Sequence, residues 1–116
     1  MDKILEITNP MLLHVGVIFY IVGIIMNIFP PKKINSLYGY RTASSMENQT
    51  KWDFAQKYSA KIMSVIGLLL VVLSFYRPYL NLSNDQHAIL GLAVLIASAI
   101  SLIVIVEKRL KQILSV

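Results

Sequence analysis

Three long apolar blocks without a formal charge constrain this chain more than any other feature. Positions 10–29 run for 20 uncharged residues, and as a helix rising about 1.5 Å per residue such a block covers the roughly 30 Å hydrocarbon core of a bilayer. Positions 62–76 form a second block of 15 residues between Lys61 and Arg77. It crosses only if those two stems snorkel and the helix extends a turn at its start. Positions 88–106 give a third, of 19 residues, which stops at Glu107, Lys108 and Arg109. The pattern predicts an all-α fold: an integral membrane three-helix bundle forming a single membrane domain over 1–116. Composition agrees, with 56% hydrophobic and 15% charged residues and a mean hydropathy of +0.64, against about 25% charged in a soluble domain. A water-soluble enzyme does not fit. With no Cys, disulfides, thiolate nucleophiles and cysteine-held zinc are excluded.

The first block does not read as a cleaved signal peptide, which has a basic leading region and small residues at its cleavage site. Here Asp2, Lys3 and Glu6 precede it and Asn27, Phe29 and Pro30 close it, so it is expected to be retained. The net charge of +5 follows from topology and needs no nucleic acid partner. Lys32, Lys33, Arg41, Lys51, Lys57 and Lys61 lie in the first loop and Lys108, Arg109 and Lys111 in the tail, against Lys3 and Arg77 elsewhere. Positive residues gather on the cytoplasmic side. This predicts an external N-terminus and a cytoplasmic first loop and C-terminus. Phe75, Tyr76 and Tyr79 then mark the outer interface, and Phe29, Tyr38 and Tyr40 the inner one.

Small or polar residues recur at helical spacing: Gly16, Tyr20, Gly23 and Asn27; Ser64, Gly67 and Ser74; Ala93, Ala97 and Ser101. Such stripes let backbones approach closely where lipid offers no hydrophobic drive for association. Packing within one bundle is the simpler reading, and a homo-oligomeric seam is the other. His14 and His87 fall near the outer span ends and read as an interfacial, solvated pair. No metal site and no cofactor are expected.

The segment 30–61 is too long for a simple connection and marks a functional element. Pro30 and Pro31 stop the first helix, and Lys32 and Lys33 sit where the anionic leaflet would hold them. Gly39 allows a turn between Tyr38 and Tyr40. Ser44-Ser45-Met46-Glu47 fits a capping box, which predicts a helix start. Trp52, Ala55, Ser59 and Ile62 then recur at three or four residues, as in an additional amphipathic helix at the headgroup level, running on into the second span.

The order Asn35, Gly39-Tyr40-Arg41-Thr42, Ser45-Met46, Asn48, Trp52 and Ala55 resembles the signature loop of the SdpI family of bacterial membrane proteins, over roughly 27–60. Gln56 stands where that pattern leads one to expect Asn, and the chain is expected to lack the extra membrane half of the family's named member. The resemblance implies a minimal three-span form in a bacterial cytoplasmic membrane. It also implies a role in immunity, since the named member protects a bacterium from its own secreted killing peptide and holds a repressor at the membrane.

Candidate ligand-binding residues are Asn27, Asn35, Tyr38, Tyr40, Arg41, Ser45, Asn48 and Trp52. Arg41 leads them, because its planar guanidinium can hold a carboxylate, a phosphate or several carbonyls. A loop folded at Gly39 would bring Arg41 to Asn27 or Asn35 at the mouth of an inner cavity, with Asn48 and Trp52 closing it. The competing reading has Arg41 binding lipid headgroups, or tying the loop to Glu47 or Asp53. The expected function is protection, by binding an antimicrobial peptide or shielding its membrane target without turnover. The alternatives are an oligomeric transport or efflux component and a membrane scaffold for a cytoplasmic regulator. The spans hold no Asp, Glu, Lys or Arg, which argues against an ion path marked by buried charge.

Overall fold

The computed structural model describes residues 2–114, and every regular element among them is helical. A short helix α1, Asp2–Ile7, leads into α2, Pro10–Ile28; then come α3, Gln49–Leu73, a 3-10 segment Ser74–Tyr79, and α4, Asn84–Leu114. Three helical stretches are long and apolar enough to cross a membrane: Pro10–Ile28, Gln49–Tyr79 and Asn84–Gln112. The protein is elongated, 50 × 24 × 20 Å.

Local chemistry sets the boundaries. α2 begins at Asn9, whose Oδ1 accepts from the Met11 amide at 3.1 Å, with Pro10 in the first turn, where a missing N–H costs nothing. It ends before Pro30 and Pro31. α3 begins at Asn48, whose Oδ1 accepts from the Lys51 amide at 2.9 Å. The helix start expected at Ser44 is therefore displaced to Gln49. Ser45 is buried in loop hydrogen bonds, Glu47 pairs with Lys51, and neither reaches back to cap a helix.

The amphipathic stretch runs on into the second span as expected, and among the described residues it is no additional helix, because 49–61 forms the first turns of α3 itself. The second span is longer than its apolar block for the same reason. A reciprocal capping box does exist, at Ser83: its Oγ accepts from the Gln86 amide at 3.2 Å, and Gln86 Oε1 accepts from the Ser83 amide at 3.0 Å. It starts α4 four residues ahead of the expected block. α4 then continues past Glu107-Lys108-Arg109 to Leu114, as these residues are good helix formers.

α2 and α3 make most of the interhelical contact, while α4 touches α2 sparingly. The α2–α3 seam is the glycine seam. A Cβ on Gly67 would meet the Tyr20 amide nitrogen at 2.4 Å and the Gly16 carbonyl at 2.7 Å; one on Gly23 would meet the Ser64 amide nitrogen at 2.8 Å. The first two stripes thus pack the two antiparallel helices of one chain. Ala93, Ala97 and Ser101 on α4 remain exposed. At the loop end, Leu102 and Val106 of α4 are buried against Ala55 of α3, with Tyr40, Tyr58, Ile62, Met63 and Ile66 around them. The first loop and the C-terminal end of α4 therefore share one end of the bundle.

The opposite end is tied by a polar knot. Asn9 Nδ2 donates to the His87 carbonyl at 2.9 Å and to the Tyr76 hydroxyl at 3.1 Å. That hydroxyl bonds His87 Nδ1 at 2.7 Å, and Arg77 donates to the Thr8 carbonyl and to Asn84 Oδ1. His87 is buried whereas His14 is exposed, so the solvated pair is corrected to one solvated histidine and one packed into this knot.

Candidate functional site under the first loop

Between the prolines and α3 the loop has no regular structure, so its backbone polar groups need partners from side chains. Asn35 satisfies the first turn, its Oδ1 accepting from the amides of Leu37 at 2.9 Å and Tyr38 at 2.7 Å, while its Nδ2 donates to the Lys33 carbonyl. The Tyr38 hydroxyl donates to the Phe29 carbonyl at 2.8 Å, at the end of α2. Gly39 follows with φ +111°, a left-handed conformation costly for other residues.

Two residues of α3 hold this loop down. Gln56 is buried and grips Tyr40 as a neighbouring strand would: its Oε1 accepts from the Tyr40 amide at 2.7 Å and its Nε2 donates to the Tyr40 carbonyl at 2.8 Å. Trp52 is fully buried, and its Nε1 donates to the Pro31 carbonyl at 2.7 Å. Ser45, also buried, closes the far side; its Oγ accepts from the Thr42 amide at 2.8 Å and lies 3.1 Å from the Tyr40 carbonyl. We expect Gln56→Ala to cost about 2 kcal/mol by stranding both Tyr40 backbone groups. Hydrogen exchange would show it as faster loss of protection at the Tyr40 amide than at amides within α2.

Pinned in this way, the loop roofs a cavity of about 390 Å³. Val22 and Met26 of α2, Ser59 and Met63 of α3, and Leu102 and Ile103 of α4 form its walls, and residues 37–42 its lid. Of the residues singled out from sequence, Tyr38, Tyr40 and Arg41 line it. Asn35, Ser45 and Trp52 shape the lid, Asn48 caps α3, and Asn27 is exposed on α2 outside the cavity lining. Arg41 itself is exposed and donates to the Ser36 carbonyl, while Asp53 accepts from Gln49 at 2.7 Å and Glu47 pairs with Lys51. Gln56 entered the sequence reading only as a departure from a motif. Its signal was its place one turn after Trp52 on the same helix.

The Tyr40 hydroxyl is buried without a hydrogen-bond partner in proper geometry. Burial, with the Glu107 carboxylate adding to it, pushes its pKa above the usual phenol range. Tyr40→Phe should change stability by no more than about 1 kcal/mol, because the hydroxyl lies against Glu107 but makes no well-formed hydrogen bond. Thermal unfolding in detergent measures this.

Residues 32–106, from the start of the loop through the last apolar turns of α4, match the SdpI/YfhL protein family. The chain belongs to the SdpI/YfhL family. It is 41% identical over 96 residues to the uncharacterized protein YfhL of Bacillus subtilis (strain 168), covering 83% of this chain and 82% of YfhL. It is 28% identical over 96 residues to the immunity protein SdpI of the same organism, covering 82% of this chain but 42% of SdpI. The chain thus spans less than half the length of SdpI. No solved structure matches it. Family membership accounts for the three apolar helices as those of a multi-pass membrane protein, and the family match takes in the whole loop from Lys32 with its Gln56 and Trp52 anchors.

Proposed function

We propose that this protein is a bacterial membrane immunity protein that binds an antimicrobial peptide, or shields the target of one, without turnover. The observation that carries this reading is its relatedness to the immunity protein SdpI across the loop and the helices that pin it. The loop is the cytoplasmic element of the site and Arg41 its charged group. Supporting the orientation is the clustering of nine of the eleven Lys and Arg residues at the loop end or on the tail that emerges there, as expected of a cytoplasmic face. The chain has no native Cys, so Ser36→Cys and Asn81→Cys report the sidedness of the two ends cleanly. An impermeant maleimide should label the second in intact cells and the first only after lysis.

Function is tested in cells that lack their own immunity protein and are exposed to the peptide that SdpI counters. Expression of the chain should restore survival, and Arg41→Ala should remove that protection at unchanged membrane abundance. Survival that does not respond to expression overturns the immunity reading. Survival that responds to expression but not to Arg41→Ala overturns the placement of the site.

A further inference from the structure

The roofed cavity joins two environments that one kind of molecule would match. Its walls descend to Val22, six residues before the end of α2, or roughly 9 Å along the helix axis, and consist of Val, Met, Leu and Ile apart from Ser59. They lie where α2 and α4 touch little, with Ile103 half exposed at the side. The lid carries the opposite chemistry. Arg41 is its charged residue, and among the described residues no carboxylate lines the cavity; Glu107 sits beside it, against the Tyr40 hydroxyl. The Arg41 guanidinium has five N–H donors, of which its hydrogen bond to Ser36 uses one.

We propose that this cavity binds one anionic phospholipid of the surrounding bilayer, with its phosphate on Arg41 and part of an acyl chain between α2 and α4. Charge complementarity selects the headgroup, since a fork of guanidinium donors matches a phosphate. Size suits the tail: about 390 Å³ lies at the small end of the roughly 300–1,000 Å³ typical of ligand pockets, room for part of a single acyl chain. Depth agrees with both, because the apolar walls lie along the membrane-crossing part of α2 and the lid that carries Arg41 is tied to the end of that helix, where the Tyr38 hydroxyl donates to the Phe29 carbonyl. The lipid site does not depend on the protective role and would exist in a chain that confers no immunity.

Native mass spectrometry of the detergent-purified full chain tests this, with dioleoylphosphatidylglycerol, dioleoylphosphatidylcholine and inorganic phosphate as probes. The expected result is one phosphatidylglycerol per chain, retained at least tenfold more strongly than phosphatidylcholine and not displaced by millimolar phosphate. Arg41→Gln should remove that preference, and Ile103→Trp, which fills the side of the cavity from an exposed position, should reduce retention of both lipids. Lys108→Gln, on the same end but outside the cavity, should change neither. Equal retention of the two lipids, displacement by phosphate, an unaffected Arg41→Gln or Ile103→Trp variant, or an effect of Lys108→Gln as large as that of Arg41→Gln overturns the proposal. Thermal unfolding of each variant separates loss of the site from loss of the fold.

Discussion

Replacing Trp52 with alanine should lower the stability of the folded protein by about 3–5 kcal/mol, the usual cost of deleting a large aromatic from a closed site. Trp52 is completely buried, and its indole N–H holds the Pro31 carbonyl, just where the chain leaves α2. The substitution opens a void and at the same time releases the beginning of the loop. Trp52→Phe retains most of the packing and loses that hydrogen bond, so it should cost about 1 kcal/mol beyond the change in volume. Denaturation by titrated SDS, followed by far-UV circular dichroism, orders the three proteins as parent, Phe variant, Ala variant. Equal midpoints for the parent and the alanine variant would mean that Trp52 does not anchor the loop.

The second large effect lies in the glycine seam. A methyl group at Gly67 would enter the backbone of α2, at 2.4 Å from the Tyr20 nitrogen and 2.7 Å from the Gly16 oxygen. No side-chain rotation relieves a contact with backbone, so Gly67→Ala must move the helices apart. Overpacking of a core costs about 1–3 kcal/mol when side chains can adjust, and about 3 kcal/mol is expected here. Because helices inserted in a membrane associate through close packing, the variant should retain its helicity and lose its tertiary contact. Trp52 is the only tryptophan, so its emission reports this directly: blue-shifted in the parent and red-shifted in Gly67→Ala at the same lipid composition.

These two sites also show how legible the fold was. Long uncharged blocks admit few structures in a chain of this length, because backbone polar groups in hydrocarbon must be satisfied within each segment. Hydropathy alone therefore located the three helices. Their ends were harder, because several candidate caps compete in sequence and only tertiary contacts choose between them. Ser44 to Glu47 fits a capping box, yet Ser45 is drawn into the loop by Thr42 and Tyr40, which leaves Asn48 to cap α3. Ser83 and Gln86 meet the same rule and do form the box. α4 outruns its apolar block at both ends because helix formation does not stop at the edge of a membrane.

That the first loop is a built element was legible in its length, and which residues hold it together was less so. Asn and Trp residues in the loop were read as ligand-facing, whereas Asn35, Asn48 and Trp52 spend their polar groups on backbone. Such an unstructured connection close to the membrane must find internal partners for its amides and carbonyls, and short amides are the cheapest source. Gln56 was overlooked because a glutamine in an amphipathic helix ordinarily faces water. Its burial follows from the loop folding back by way of Gly39, a long-range event that no local pattern records. The same holds for Asn9, Tyr76 and His87, which are 67 and 78 positions apart along the chain and meet only once the bundle has formed.

The central claim is that the first loop is a fixed lid, fastened by Gln56 and Trp52 over a cavity at one end of a three-helix bundle. Hydrogen–deuterium exchange at the Tyr40 amide in lipid nanodiscs tests it most directly. That amide should exchange orders of magnitude more slowly than an unstructured peptide, and should lose its protection in Gln56→Ala while α2 stays protected. Exchange of Tyr40 at the unstructured rate in the parent protein would contradict the account.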